Sequence, residues 1–427
     1  MNNPNTLAYM KTFSKVYQIV HAKMPVYPAF ASYKLVADLK KGNQVSRRYK
    51  SAVVARPTEG DGGYRSQAVV DTEELLTLDQ DYNAAIYIKE FDELIYDLPL
   101  QASYSEDQAD ALFNQIDADV LGEYDEYSLS LDAGDFDGVD GNGIEVKVTN
   151  VFKVFSKVET LMRRRNIIVD PTAKFTGVRK RDSQASNRGV AIISPDFYSV
   201  IQERLEGKET LLGDQITQNG FVRRYMNFDL FVSNALACSA RLDFGANNFN
   251  DGETIVINGA TLTAKTTPSA AGHFLIGANV AAAIDALVAL INDSEGLEAD
   301  SEGNNGPNTS GTLYHEPSQA ARDLLRNISA VDGTTYMTIK AKGVGRLTVA
   351  ETSAVADIVW DPNKTVQHNL IGVADSIELV IRKNPTVKEK DRNLKLGKDV
   401  VAWTTWGKKV FHDQIYKMVD VQQKIED

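Results

Sequence analysis

At 427 residues, 43% apolar and 24% charged, the chain has room for two or three domains and the composition of a globular protein with a sizeable core. Its net charge of −12 works against tight, sequence-independent binding to nucleic acid, which needs a basic surface. The one cysteine, Cys238, excludes an internal disulfide framework and sits in an apolar context that reads as a buried thiol. There is no N-terminal signal-type apolar region and no run of about 18 apolar residues, so neither a secretory signal nor a membrane span is expected.

In chain order, Leu7, Met10, Phe13, Val16, Tyr17 and Val20 recur at helical spacing until Pro25 and Pro28 break any helix. That stripe packs either on its own domain or on another surface. Val45 to Val54 and Tyr64 to Leu78 read as two β arms joined by ARPTEGDGG, a loop by its Pro57, Gly60, Gly62 and Gly63. The arms hold too few large apolar residues for a core, and a lone two-stranded ribbon is marginal in water, so it must lie on some other surface.

Ala84 to Leu94 is an apolar stretch with interspersed acids, a strand or a short helix. Ser105 and Gln108 form a capping box that starts a helix with Ala109, Leu112, Phe113, Ile116 and Val120 on one face. It can continue past Gly122 through Tyr124 and Tyr127. Asp132 to Gly143 is an acidic glycine loop. Val139 falls where a calcium loop needs an oxygen ligand, so a plain loop is the expectation. Val148, Phe152, Phe155, Val158, Leu161 and Met162 mark another amphipathic helix, with Arg163 to Arg165 at its negative end. These arginines and the basic cluster at 179–181 read as capping and salt-bridge charges rather than a nucleic-acid site.

From Gly189 to Leu236 the order is a buried strand (Val190 to Ile193), a helix capped by Ser194 with Pro195 first, an acidic glycine-containing loop, and a second strand. The helix carries Phe197, Val200, Ile201 and Leu205 and ends at Gly207. The second strand carries Val222, Phe228, Leu230 and Val232, with a turn or bulge near Asn227 and Asp229. The words Ser-Pro-Asp-Phe-Tyr and Gly-Phe-Val-Arg-Arg, then Phe-Asp-Leu-Phe-Val-Ser-Asn, resemble the axial domain of tailed-bacteriophage major capsid proteins, which have the Hong Kong 97 phage fold.

The resemblance covers about 40–242 and 367–427 and implies an α+β capsid fold. It has an N-terminal arm (1–43), an extended hairpin loop (44–82) and a peripheral domain with a spine helix (83–165). An axial domain (166–244) and return strands of both domains (367–427) complete it. In that family the hairpin lies across a neighbouring subunit, so Arg47, Arg48, Lys50, Arg56 and Arg65 would face acids there; a solvated ribbon is the alternative. The implied function is self-assembly as pentamers and hexamers into an icosahedral shell around double-stranded DNA. Scaffolding protein, portal and decoration proteins would be partners, and assembly would take place in the host bacterial cytoplasm.

Residues 245–366 interrupt that pattern. They read as an inserted surface domain or as part of one larger α/β domain. Its hairpin ETIVI-NG-ATLTA turns at Asn-Gly. Asn279 caps a helix with Val280, Ile284, Leu287, Val288 and Ile291, and Pro317 opens another with Ala321, Leu324, Leu325 and Ile328. Strands at 335–341 and 346–350 follow, and Asp361-Pro362 closes the region. The C-terminal part is strand-rich: 377–381, 400–406, 409–411 and 415–421, with Gly407 as a turn. No hydrolase elbow, phosphate loop or zinc-protease motif occurs, and the five histidines are scattered. No catalytic residue, cofactor or metal ligand is expected. The remaining alternatives are an encapsulin-like nanocompartment shell and a soluble α/β enzyme.

Overall fold

The computed structural model describes residues 25–37, 42–50, 54–55, 67–68, 70–89, 100–167, 169, 188–206, 223–245, 248–294, 313–352, 358–391 and 397–425. The N-terminal stripe up to Val20, the cluster at 179–181, Gly207, Gly220 and Val222 lie outside the described residues. In chain order the strands are β1 (Ala31–Ser32), β2 (Gln44–Lys50), β3 (Asp71–Thr77), β4 (Gln80–Lys89), β5 (Leu129–Leu131), β6 (Gly189–Ile193), β7 (Arg224–Tyr225), β8 (Phe228–Val232), β9 (Cys238–Phe244), β10 (Thr254–Ile257), β11 (Ala260–Lys265), β12 (His273–Leu275), β13 (Ile328–Asp332), β14 (Tyr336–Ala341), β15 (Val349–Glu351), β16 (Ile358–Val373), β17 (Ile377–Asp391), β18 (Gly397–Lys409) and β19 (Met418–Lys424). The helices are α1 (Leu100–Leu121), α2 (Val151–Arg164), α3 (Pro195–Leu205), α4 (Val280–Ser294) and α5 (Gln319–Leu325).

Every residue of β6 is buried, because its sheet is covered on both faces. Val190 and Ile192 pack with Ile116 and Val120 of α1, Leu370 and Trp406. Ala191 and Ile193 pack with Phe155 and Val158 of α2 and Phe197 of α3. The expected strand–helix–strand unit forms: β6 and β8 pair in parallel, which requires the crossover that α3 supplies. Ser194 Oγ accepts from the Phe197 N–H (3.0 Å) and donates to Gln423 Oε1 (2.8 Å). A tight turn at Met226–Asn227 joins β7 to β8, while Asp229 lies in the ladder.

Several boundaries differ from expectation. α1 begins at Leu100, so Ser105 lies inside the helix rather than capping it, and the helix ends at Leu121. Tyr124 falls in a short 3-10 turn beyond Gly122. The buried stripe of α2 is Val151, Val154, Phe155, Val158 and Met162, and Phe152 faces out, 51% exposed. A spacing counted from Val148 starts before the helix does, which put Phe152 on the wrong face. α5 ends at Leu325, with Leu324 exposed and Ile328 opening β13. Asp361-Pro362 sits within β16 at a register shift. Gly407 is inside β18 rather than a turn; a Cβ there would lie 2.3 Å from the Thr77 carbonyl oxygen, so glycine serves close backbone approach.

Within 245–366 the hairpin β10–β11 turns at Asn258 (φ 49°) and Gly259 (φ 88°), as an Asn-Gly type I′ turn requires. Asn279 Oδ1 accepts from the Ala282 N–H (2.9 Å) at the start of α4. β10, β11, β12 and β15 form a separate four-stranded sheet. The chain leaves and returns on adjacent strands, Ile358 of β16 pairing Phe244 of β9. β13 and β14 extend the nine-stranded main sheet through β9, so the segment's core is continuous with Leu242, Ile358 and Trp360.

The acidic stretch 132–143 bonds to itself: Asp132 Oδ2 accepts from the Gly141 N–H (2.8 Å) and the Ala133 N–H donates to the Asn142 carbonyl (2.9 Å). Among the described residues no group of three or more His, Cys, Asp or Glu side chains could hold a metal ion, and no helix is long and apolar enough to cross a membrane.

Replacing Ser194 by Ala should cost about 1–2 kcal/mol in urea unfolding, since it removes a buried cap and leaves Gln423 short of a donor. Burial pushes the Cys238 thiol up to about 12. At pH 8 an aromatic disulfide reagent should therefore leave Cys238 unmodified in the folded chain and react with it after unfolding, as followed by thiol absorbance.

Candidate inter-subunit surface

β2 and β3 form a two-stranded antiparallel ribbon with Val45 opposite Leu76 and Arg48 opposite Glu73. Alternation along β2 turns Val45, Arg47 and Tyr49 inward and Ser46, Arg48 and Lys50 outward. On β3 only Leu76 is fully buried, against Val380 and Phe411 with Leu35, Val45 and Leu78 around it. Full burial of one such side chain contributes about 1.5–3 kcal/mol.

The inward polar groups are satisfied by the same chain. Arg47 Nη2 donates to Asp413 Oδ2 (2.7 Å), lies 3.9 Å from the buried Glu378 carboxylate, and places its guanidinium over the Phe411 ring. Tyr49 stacks on His412 at 4.3 Å between ring centroids, and a Glu74 carboxylate oxygen accepts from the His412 N–H (3.0 Å). The base of the ribbon is thus docked on the segment between β18 and β19. The sequence pattern of β2 signals which residues face inward, but not that Phe411, His412 and Asp413 receive them.

The five expected contact cations separate accordingly. Arg47 is engaged within its own chain. Arg48 and Lys50 are exposed on the outward face, opposite Glu73 and Asp71 in the register. Arg56 and Arg65 lie outside the described residues. The outward face also carries Leu75, 49% exposed, and Val54 and Val70 flank the connection at 61% and 60% exposed.

Leu75 borders a cleft of about 490 Å³ that also touches Thr77, Tyr82, Asp119, Glu123, Lys342 and Lys408. Four of its charged side chains meet one another. Lys408 Nζ contacts the Asp119 carboxylate and lies 3.0 Å from Glu123, and Lys342 is 3.6 Å from Asp119. The arrangement makes a polar floor beside an exposed leucine.

No protein-family model and no curated protein matches the sequence. Solved structures do match its fold over nearly the whole length. A structure from Mycobacterium phage Che8 aligns with a TM-score of 0.53 at 10% identity, covering 96% of this chain and 95% of that one. The capsid structure of cyanophage P-SCSP1u aligns at 0.51 and 11% identity, covering 98% and 94%. The fold is the one seen in these phage structures, a capsid among them, in keeping with the α+β Hong Kong 97-type architecture expected from the sequence.

Leu76→Ala should destabilise the chain by about 2–5 kcal/mol in denaturant unfolding, because its socket is fully buried. The half-exposed Arg47–Asp413 pair should show a coupling of only about 0.2–1 kcal/mol in a double-mutant cycle.

Proposed function

We propose that this chain is the major capsid protein of a tailed phage, assembling as pentamers and hexamers into a closed icosahedral shell around double-stranded DNA. The observation that carries this reading is the end-to-end fold likeness to phage structures, a virion capsid among them, with no large part of either chain left over. The ribbon supports it. Its base is docked on its own chain, while its outward face and apolar flanks are uncovered, as an overlapping contact with a neighbour needs. Rings require such heterologous contacts, in which one patch meets a different one on the next subunit. Each contact can be weak, because many act together.

In this reading the protein works by assembly rather than catalysis. Arg48 and Lys50, with Arg56 and Arg65, meet acids of the adjacent subunit, and segment 245–366 projects from the shell's outer surface. The acid excess keeps packaged DNA from adhering. Scaffolding protein, portal and decoration proteins are the further partners, and the host bacterial cytoplasm is the place of assembly. The phage neighbours favour this over an encapsulin-like compartment.

Deleting 55–65 should leave a soluble, folded subunit by circular dichroism but no closed particles by sedimentation velocity. Leu75→Ser should leave unfolding stability within about 0.5 kcal/mol and still weaken assembly. Intact shells from both variants would remove the ribbon from the mechanism.

A further inference from the structure

Ser239 of β9, His368 of β16 and Asp420 of β19 lie on three adjacent strands and on one face of the main sheet. Ser239 Oγ is 2.9 Å from His368 Nε2, and His368 Nδ1 is 2.8 Å from Asp420 Oδ2. An ionised carboxylate only accepts, so Asp420 places the imidazole proton on Nδ1 and leaves the Nε2 lone pair facing the serine hydroxyl. Burial is graded in the same direction: Ser239 is partly exposed, whereas His368 and Asp420 are 4% exposed. The Tyr124 ring covers the imidazole, stacked at 3.6 Å and 12°.

Asp420 Oδ1 is buried without a hydrogen-bond partner among the described residues. Ser239 is itself partly exposed, as are the side chains of Arg241 and Asp243 on β9 and of Tyr336 and Thr338 on β14 along the same face. Lys340 is directly opposite Ser239 on β14, with its charge met by Asp125, 2.5 Å from Nζ.

We propose that Ser239 is a nucleophile, with His368 as its general base and Asp420 as the residue that positions His368, and that it accepts acyl groups from activated carboxylic esters. Ser239 Oγ adds to the ester carbonyl carbon as its proton passes to His368 Nε2. The tetrahedral oxyanion collapses, the bond to the leaving oxygen breaks, and His368 returns the proton to that oxygen, releasing an alcohol. Water then enters by the same route, with its proton taken by His368, and frees the carboxylic acid and the Ser239 hydroxyl. Ser239 is paired in the ladder on both sides, with Lys340 and Val366, so its strand offers no pair of backbone donors for the oxyanion. Activated aryl esters are therefore within reach and amides are not. This activity stands apart from the assembly reading.

The full-length chain should be incubated with a fluorophosphonate probe and, separately, with p-nitrophenyl acetate. The expected result is one phosphonyl adduct at Ser239 by peptide mass spectrometry and ester hydrolysis that disappears in Ser239→Ala. That variant loses only a partly exposed hydroxyl and so keeps the fold as a control. Asp420→Asn should slow labelling by roughly 10²–10⁴-fold and alter its pH profile, because the amide no longer fixes the tautomer. No Ser239 adduct on the folded chain, or equal hydrolysis by Ser239→Ala, would overturn the proposal. Unchanged labelling of Ser239 in His368→Gln would equally overturn the role given to His368.

Discussion

Among its described residues the β2–β3 ribbon sinks one side chain, Leu76, fully into the body. That single anchor sets much of the surrounding architecture. Val380 and Phe411 must line its socket, and β18 must carry glycine at 407 so that the Thr77 carbonyl can come close. Arg47, Tyr49 and Glu74 then find partners on Asp413, His412 and Glu378. A two-stranded ribbon has too little buried surface to hold itself up in water, so this base fixes its direction while the rest stays uncovered.

The body gives the anchor something rigid to hold. α1 lies across the sheet that carries the socket, and its aspartates are used as ties. Asp117 Oδ1 accepts from the Val26 and Tyr27 N–H groups (2.8 and 2.7 Å), securing the chain that leads into β1. Asp119 accepts from Trp406 Nε1 (3.0 Å) and meets Lys408 and Lys342, joining α1 to β18. Buried carboxylates of this kind stabilise a fold only when each is met by donors, and here they are. The same strand, β18, runs under α1 and past the ribbon, tying the socket to the core.

What the sequence made legible follows the range of the interaction involved. The Ser194 cap, the Asn258–Gly259 turn and the continuous apolar run of β6 are decided within a few residues, and each forms as read. Gly407 lies in a strand rather than a turn because a strand from elsewhere in the chain imposes its conformation, and a local pattern carries no trace of it. The docking of Arg47 joins residues 366 apart. The trio of Ser239, His368 and Asp420 spans separations of 129 and 52, without any spacing that a motif could express. The order of elements carried the fold because order survives when individual residues have diverged, as the 10% identity to a structure of the same fold illustrates.

In the proposed assembly, the anchored but uncovered ribbon is completed by a second copy of the chain. Cryo-electron microscopy of particles formed by the purified protein decides this. Closed shells are expected, with density for residues 44–78 running from its socket at Leu76 onto the adjacent subunit. A solitary monomer, or shells whose ribbons touch only their own subunit, would refute it.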